Sequence, residues 1–223
     1  MVSRETSGSA IGPPDLPPWL EPVRASLAEY ADILVGPGIE RGLLGPREAD
    51  KVWDRHIINC AVVAEPDLEV IGTGARIADI GSGAGLPGLV WALTRPDVSV
   101  VLIESLLRRV TFLTECITAL EITDRVQVVR ARAEEASGHP GSFDIVTARA
   151  VAPLGNVARW AAPLLLPDGA LVAIKGESAQ EAVTRDGQIL EELGLTQPVV
   201  VQMGQGVVDP PTTVVMASLA KAE

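Results

Sequence analysis

The stretch Ala78-Asp79-Ile80-Gly81-Ser82-Gly83-Ala84-Gly85-Leu86-Pro87-Gly88 constrains the fold more than any other part of the chain. It follows a short apolar run, Arg76 to Ile80, and precedes a segment of helical length. Glycine reaches positive φ at little steric cost and lets backbone N–H groups come close to a ligand. A glycine-rich turn between a strand and a helix marks the carboxyl end of a parallel strand, where nucleotide-like ligands sit.

The residues downstream repeat that unit. Short β-branched runs at Ser99 to Ile103, Val126 to Val129, Asp144 to Ala148 and Leu171 to Ile174 alternate with helical stretches, among them Leu154 to Leu165 and Ala179 to Leu193. Strands alternating with helices predict a parallel sheet covered on both faces. Val199 to Met203 and Thr213 to Leu219 have no helix between them, so the sheet should end in an antiparallel hairpin. Upstream, Leu20, Val23, Leu27, Tyr30 and Leu34 recur at helical spacing, and Pro46 opens a second helix carrying Trp53, His56 and Cys60. Residues 1–18, with Pro13, Pro14, Pro17 and Pro18, read as a disordered tail. The expected organisation is that tail, a helical cap over 19–72, and a ligand-binding domain over 73–223.

Dinucleotide loops usually read G-x-G-x-x-G, whereas here the spacing is G-x-G-x-G with Leu86 at the sixth position. An acid, Asp79, lies two residues before the first glycine, better placed for an ammonium than for a pyrophosphate. Both features favour S-adenosylmethionine over NAD. Glu104 ends the second strand and is placed to accept the ribose hydroxyls of an adenosine, a feature NAD sites share. Its alternative is a solvated acid opening the next helix, with Ser105 as the cap. Arg149 ends the fourth strand between alanines and has no evident packing role, and Lys175 ends the fifth.

Lys and Arg number 18 against 29 Asp and Glu, a net charge of −11 with pI near 4.7. Such a body does not coat polyanions, since nucleic-acid affinity rests on neutralised phosphates. Positive charge is local: Leu106 to Arg132 holds five arginines against three acids. Any RNA is therefore expected to be met by a shaped pocket more than by overall attraction. Two cysteines, Cys60 and Cys116, without C-x-x-C spacing predict neither a disulfide scaffold nor a metal site. With neither a signal core nor an apolar run near the roughly 18 residues that span a bilayer, a cytoplasmic protein without membrane contact is expected; a monomer is the default expectation, which no sequence feature decides.

WDRHI, DIGSGAGLPG, Arg108-Arg109 followed by Phe112-Leu113, RAEE, FDIVTARA and AIKG occur in an order that resembles the glucose-inhibited division protein B family, from about Trp53 through Gly176. The resemblance implies a class I S-adenosylmethionine methyltransferase fold: α/β, Rossmann-like, with a mostly parallel seven-stranded sheet. It implies transfer of a methyl group from S-adenosylmethionine to N7 of a guanosine in 16S rRNA, with the rRNA or the small ribosomal subunit as partner. On these positions it implies that Gly81 and Leu86 meet the cofactor's methionine side, Glu104 its ribose, and Ala133 and Glu134 its adenine, with Gly83 and Ser105 as further cofactor-binding candidates. Arg149 would lie beside the transferred methyl, with Lys175 and His56 as candidate catalytic groups. The chain departs at Asn59-Cys60, where the family often carries Asp-Ser.

The residues agree with that acceptor. Exocyclic amines usually meet an Asn or Asp followed by Pro-Pro and an aromatic after the fourth strand, and here the sequence is Thr147-Ala148-Arg149-Ala150. Carbon methylation of pyrimidines needs a cysteine nucleophile at a strand end, and both cysteines fall in helical patterns. Guanine N7 has an exposed lone pair and no proton to lose, so it asks for alignment more than for a base. A ribose hydroxyl, with Lys175 as base, and a small-molecule acceptor are the alternatives. A dinucleotide oxidoreductase and a non-catalytic adenosine-binding module are the rivals of other classes.

Overall fold

The computed structural model describes residues 12–138 and 142–220. Seven strands form one sheet: β1 Arg76–Ile80, β2 Ser99–Glu104, β3 Val126–Arg130, β4 Phe143–Arg149, β5 Leu165–Lys175, β6 Leu195–Met203 and β7 Thr212–Leu219. Their order is β3-β2-β1-β4-β5-β7-β6, parallel from β3 to β5, with β7 antiparallel to both β5 and β6. The order reverses beside β1, so a crevice opens over the loops that leave β1 and β4.

Apolar runs place the strands, but two extend further than their periodicity predicts. β5 starts at Leu165, inside the stretch expected to be helix, because α5 (Leu154–Ala161) gives way to a 3-10 turn at Ala162–Leu164. Pro167 and Asp168, the latter at φ 66°, then form an irregularity that shifts the register against β4. Gln197, at φ 52° beside Pro198, does the same in β6. Such bulges conceal the alternation that would reveal the strand.

Two hydrophobic layers sandwich the sheet. On one face α5 and α6 (Ala179–Glu192) bury Leu154, Val157 and Leu190 against Val146, Leu171 and Val215. On the other, α3 (Gly88–Thr94) and α4 (Leu107–Ala119) share a single core with the amino-terminal residues, which bring Leu20, Leu27, Tyr30, Trp53 and Ile57 against Leu89, Trp91 and Phe112. Leu16 is buried in this same core and a 3-10 turn begins at Pro18, so order starts before the boundary expected at residue 18. Residues 1–11, the rest of the expected tail, lie outside the described residues.

The cap is less regular than its spacing predicts. After α1 (Arg24–Ile33) the helix widens to a π-turn at Leu34–Gly38, where Pro37 has no N–H to continue the ladder. A 3-10 turn at Pro46–Lys51 leads into a second π-helical segment, Val52–Ile58, which runs on into the short α2 (Asn59–Ala61). The cap is fastened to α3 and to the sheet by polar bonds as well: Trp91 Nε1 of α3 donates to the carbonyl of Cys60 at 2.9 Å, and Thr212 Oγ1 of β7 to that of Asn59 at 2.9 Å.

Tyr30, fully buried, donates its hydroxyl to the carbonyl of Ala84 in the glycine loop at 2.7 Å. Tyr30→Phe should cost about 1–3 kcal/mol, because it leaves that carbonyl without its partner. Denaturant unfolding of the two proteins measures the difference.

Candidate functional site

The glycine loop joins β1 to α3. Gly81, Gly83 and Gly85 have φ of 67°, 59° and 100°, the left-handed region that side chains rarely enter. The N–H groups of Gly81 and Ser82 both donate to the carbonyl of Ile103, at 2.8 and 3.2 Å, which stitches the loop to the end of β2. Leu86 is half-buried and packs against the core beneath the loop.

Glu104 stands beside this loop at the tip of β2, only 3% exposed. Its Oε2 accepts the Gly83 N–H at 3.1 Å and one Arg109 guanidinium N–H at 3.4 Å. Its Oε1 accepts the Leu106 N–H at 2.9 Å and faces the exposed Ser105 hydroxyl at 3.5 Å. The carboxylate thus holds the glycine loop and the start of α4 together. Ala133 and Glu134 open a 3-10 turn, Ala133–Gly138, after β3, with Ala133 half-buried and Glu134 exposed. The preceding Ala131 N–H donates to the carbonyl of Glu104 at 3.3 Å, so this turn abuts the same carboxyl end of the sheet.

Asp79 was expected to face a bound ammonium; its side chain is instead fully buried beneath the loop. Oδ2 accepts the Gly88 N–H at 3.1 Å and pins the first residue of α3. Oδ1 has no hydrogen-bond partner. Burial drives its pKa up to about 7, against the pull of the Gly88 N–H.

Across the crevice, Arg149 ends β4. Its Nη1 donates to Cys60 Sγ at 3.1 Å, and its Nη2 reaches the Arg55 carbonyl at 2.9 Å and His56 Nδ1 at 2.8 Å. His56 Nε2 lies 3.0 Å from Glu48 Oε2. A guanidinium only donates, so Nδ1 must accept and Nε2 must carry the proton given to Glu48. Burial and then Arg149 hold the His56 pKa below its ordinary value, although Glu48 pulls the other way. Lys175, at the tip of β5, donates its ammonium to the carbonyl of Ala152 at 2.7 Å, and burial lowers its pKa.

Two concavities, of about 510 and about 190 Å³, open at the opposite end of the sheet, around Arg95 and around Arg125. Arg95 is bound there to Asp97 and to the carbonyls of Ile71 and Gly72. That cavity therefore offers no free cation, and the chemistry-bearing residues gather at the other end of the strands. Among the described residues no helix is long and apolar enough to cross a membrane, and no group of three or more His, Cys, Asp or Glu could hold a metal.

A family model described as rRNA small subunit methyltransferase G matches residues 24–207. The chain belongs to that family. A ribosomal RNA small subunit methyltransferase G of Salinispora tropica is 52% identical over 93% of this chain and 88% of its own length. One of Mycolicibacterium gilvum is 50% identical over 90% and 87%. Among solved structures, a SAM-dependent methyltransferase from Aquifex aeolicus superposes with a TM-score of 0.54 at 19% identity, covering 76% of this chain and 96% of that one. At that identity the likeness shows the fold, the class I methyltransferase fold that the family resemblance implies and whose parallel sheet and closing antiparallel hairpin the strand pattern predicts.

The structure brings Gly81, Gly83, Leu86, Glu104, Ser105, Ala133, Arg149, Lys175 and His56 to one end of the sheet, with Glu134 on its exposed rim. Sequence reasoning missed Glu48 as a partner of His56, Cys60 as a contact of Arg149, and Tyr30 as the clamp on the glycine loop. Only Asn59-Cys60, a departure from the family pattern, carried a signal. His139, which the sequence sets between Gly138 and Pro140 without neighbours that suggest chemistry, lies outside the described residues.

Proposed function

We propose that this enzyme transfers a methyl group from S-adenosylmethionine to N7 of a guanosine in 16S rRNA. The observation that carries the reading is the row of groups across the carboxyl ends of β2, β1, β4 and β5: Glu104 bound to the glycine loop, then Arg149, then Lys175. Bound S-adenosylmethionine supplies an electrophilic methyl on a sulfonium. Gly81, Gly83 and Leu86 would hold its methionine part, Glu104 and Ser105 the ribose, Ala133 and Glu134 the adenine, and Arg149 the edge facing the acceptor. The fit rests on the cradle formed by Gly81, Gly83 and Gly85 at positive φ beside the Glu104 carboxylate, where a Cβ on Gly81 would close the space against Val151; a cation over the loop would act on the buried Asp79 carboxylate only through space.

The acceptor reading follows from what the site lacks. Both cysteine thiols are buried and burial raises their pKa, so neither is primed as the nucleophile that carbon methylation of a pyrimidine needs. Both ring nitrogens of His56 are committed, and the Lys175 ammonium is tied to Ala152. A nitrogen that already offers a lone pair requires only alignment.

Mapping N7-methylguanosine in 16S rRNA from cells lacking the gene tests the reading, and one methylated guanosine should be lost. Incubation with labelled cofactor should mark small subunits or their rRNA. Label confined to metabolites or to ribose, or an unchanged map, would reject the proposal.

A further inference from the structure

We propose that Glu48 and His56 act as a positioning pair that aims the guanidinium of Arg149 into the crevice and couples the cap to the cofactor side of the site. The inference rests on the reading that Arg149 borders the transferred methyl. Its basis is a continuous chain of polar contacts: Glu48 Oε2 to His56 Nε2 at 3.0 Å, and His56 Nδ1 to Arg149 Nη2 at 2.8 Å. Glu48 lies on the 3-10 turn that precedes the π-helical segment, and His56 lies within that segment. The same stretch of cap supplies the Arg55 carbonyl and Cys60 Sγ, so three acceptors converge on one guanidinium. An arginine side chain left to itself samples many rotamers; one gripped this way loses that freedom before the ligand arrives.

The direction of the hydrogen bonds makes the arrangement sensitive to protonation. Arg149 needs a lone pair on Nδ1, and Glu48 supplies the acceptor that keeps the ring proton on Nε2. A second proton on the ring would point an N–H at a guanidinium N–H and break the chain. The charged groups that face the imidazole are Glu48, Arg55 and Arg149, and the buried Cys60 thiol lies against the same guanidinium. Glu48 favours the protonated ring and Arg149 opposes it, so removing the Glu48 charge lowers the imidazole pKa.

The experiment compares the parent with His56→Asn, His56→Gln and Glu48→Gln. Asparagine places its carboxamide oxygen where Nδ1 was and can still accept from Arg149, whereas the longer glutamine reaches toward Glu48 instead. His56→Gln should weaken cofactor binding by about tenfold or more, the weight of one charged hydrogen bond. His56→Asn should recover most of that loss. Titration calorimetry with S-adenosylmethionine reads this without turnover, and thermal melting shows whether each variant is folded. In the pH profile of methyl transfer, the acid limb of Glu48→Gln should move to lower pH. Nitrogen-15 spectra of the parent's histidines at neutral pH should show the Nε2–H tautomer for His56, a readout that survives even if a variant fails to fold. Equal losses in His56→Asn and His56→Gln, an acid limb that stays put or moves up, or an Nδ1–H tautomer would overturn the pair. A parent that binds the cofactor but leaves rRNA unmodified would instead reject the substrate reading and leave the pair standing.

Discussion

Replacing Gly81 by leucine should leave a folded protein whose affinity for S-adenosylmethionine has fallen by about a hundredfold or more, a loss of roughly 2.7 kcal/mol of binding. Two effects add. Residue 81 has φ of 67°, which costs a non-glycine residue on the order of 1–3 kcal/mol. A Cβ there would also stand 2.9 Å from both methyls of Val151, in the loop that follows β4. Val151 is 37% exposed and can turn outward, so the fold should survive with a modest loss of stability. What cannot survive is the shape of the crevice, because residue 81 and the loop bearing Val151 would be forced apart between the glycine loop and Arg149. Circular dichroism melting and calorimetric titration on the same sample separate the two consequences. Unchanged affinity would mean that the loop is only a turn.

The contrast with Gly88 makes the point sharper. A Cβ at Gly88 would lie 2.5 Å from Leu102 and 2.7 Å from Asp79 Oδ2, both buried, with no route outward. Small-to-large changes in a packed interior cost about 1–3 kcal/mol or more. One glycine therefore shapes the ligand surface while the other shapes the core beneath it, although both belong to the same motif.

How much of this was legible in the sequence depends on the range of the interaction. The glycine loop is a local backbone requirement, so eleven consecutive residues from Ala78 to Gly88 reveal it, and β-branched runs reveal the central strands for the same reason. The starts of β5 and β6 were hidden by positive-φ residues, Asp168 and Gln197, that break the alternation. The cap was legible as helical, but the π-helical segment at Val52–Ile58 has no periodic signature. The contact between His56 and Arg149 spans 93 residues, and no spacing rule can anticipate it. Asp79 is the instructive error. Its position two residues before Gly81 suggested a carboxylate beside a bound ammonium, whereas the side chain is buried beneath the loop and accepts the Gly88 N–H.

That placement leads to the second large effect. A carboxylate with pKa about 7 in the folded chain and 3.8 in the unfolded chain binds a proton in the native state that the unfolded state has already released. Between those two values the unfolded state therefore holds fewer protons, and stability falls as pH rises. The decline begins near pH 4, ends near pH 7, and totals on the order of 4 kcal/mol for this one group. Above pH 7 the native protein carries a buried charge whose Oδ1 has no partner. Asp79→Asn should remove this contribution: subtracting its unfolding free energy from the parent's across pH 4.5 to 8.5, by urea titration, should leave a curve that drops through that window and then flattens. At pH 8 the variant should be the more stable protein in the absence of ligand and should bind S-adenosylmethionine more weakly, since the cation over the loop no longer offsets a buried charge. The parent should accordingly gain more stability from saturating cofactor at pH 8 than at pH 5, because a cationic ligand favours the ionised carboxylate. If the difference curve were flat, or if the variant bound cofactor as tightly as the parent, Asp79 would be no more than the hydrogen-bond acceptor that fixes the start of α3.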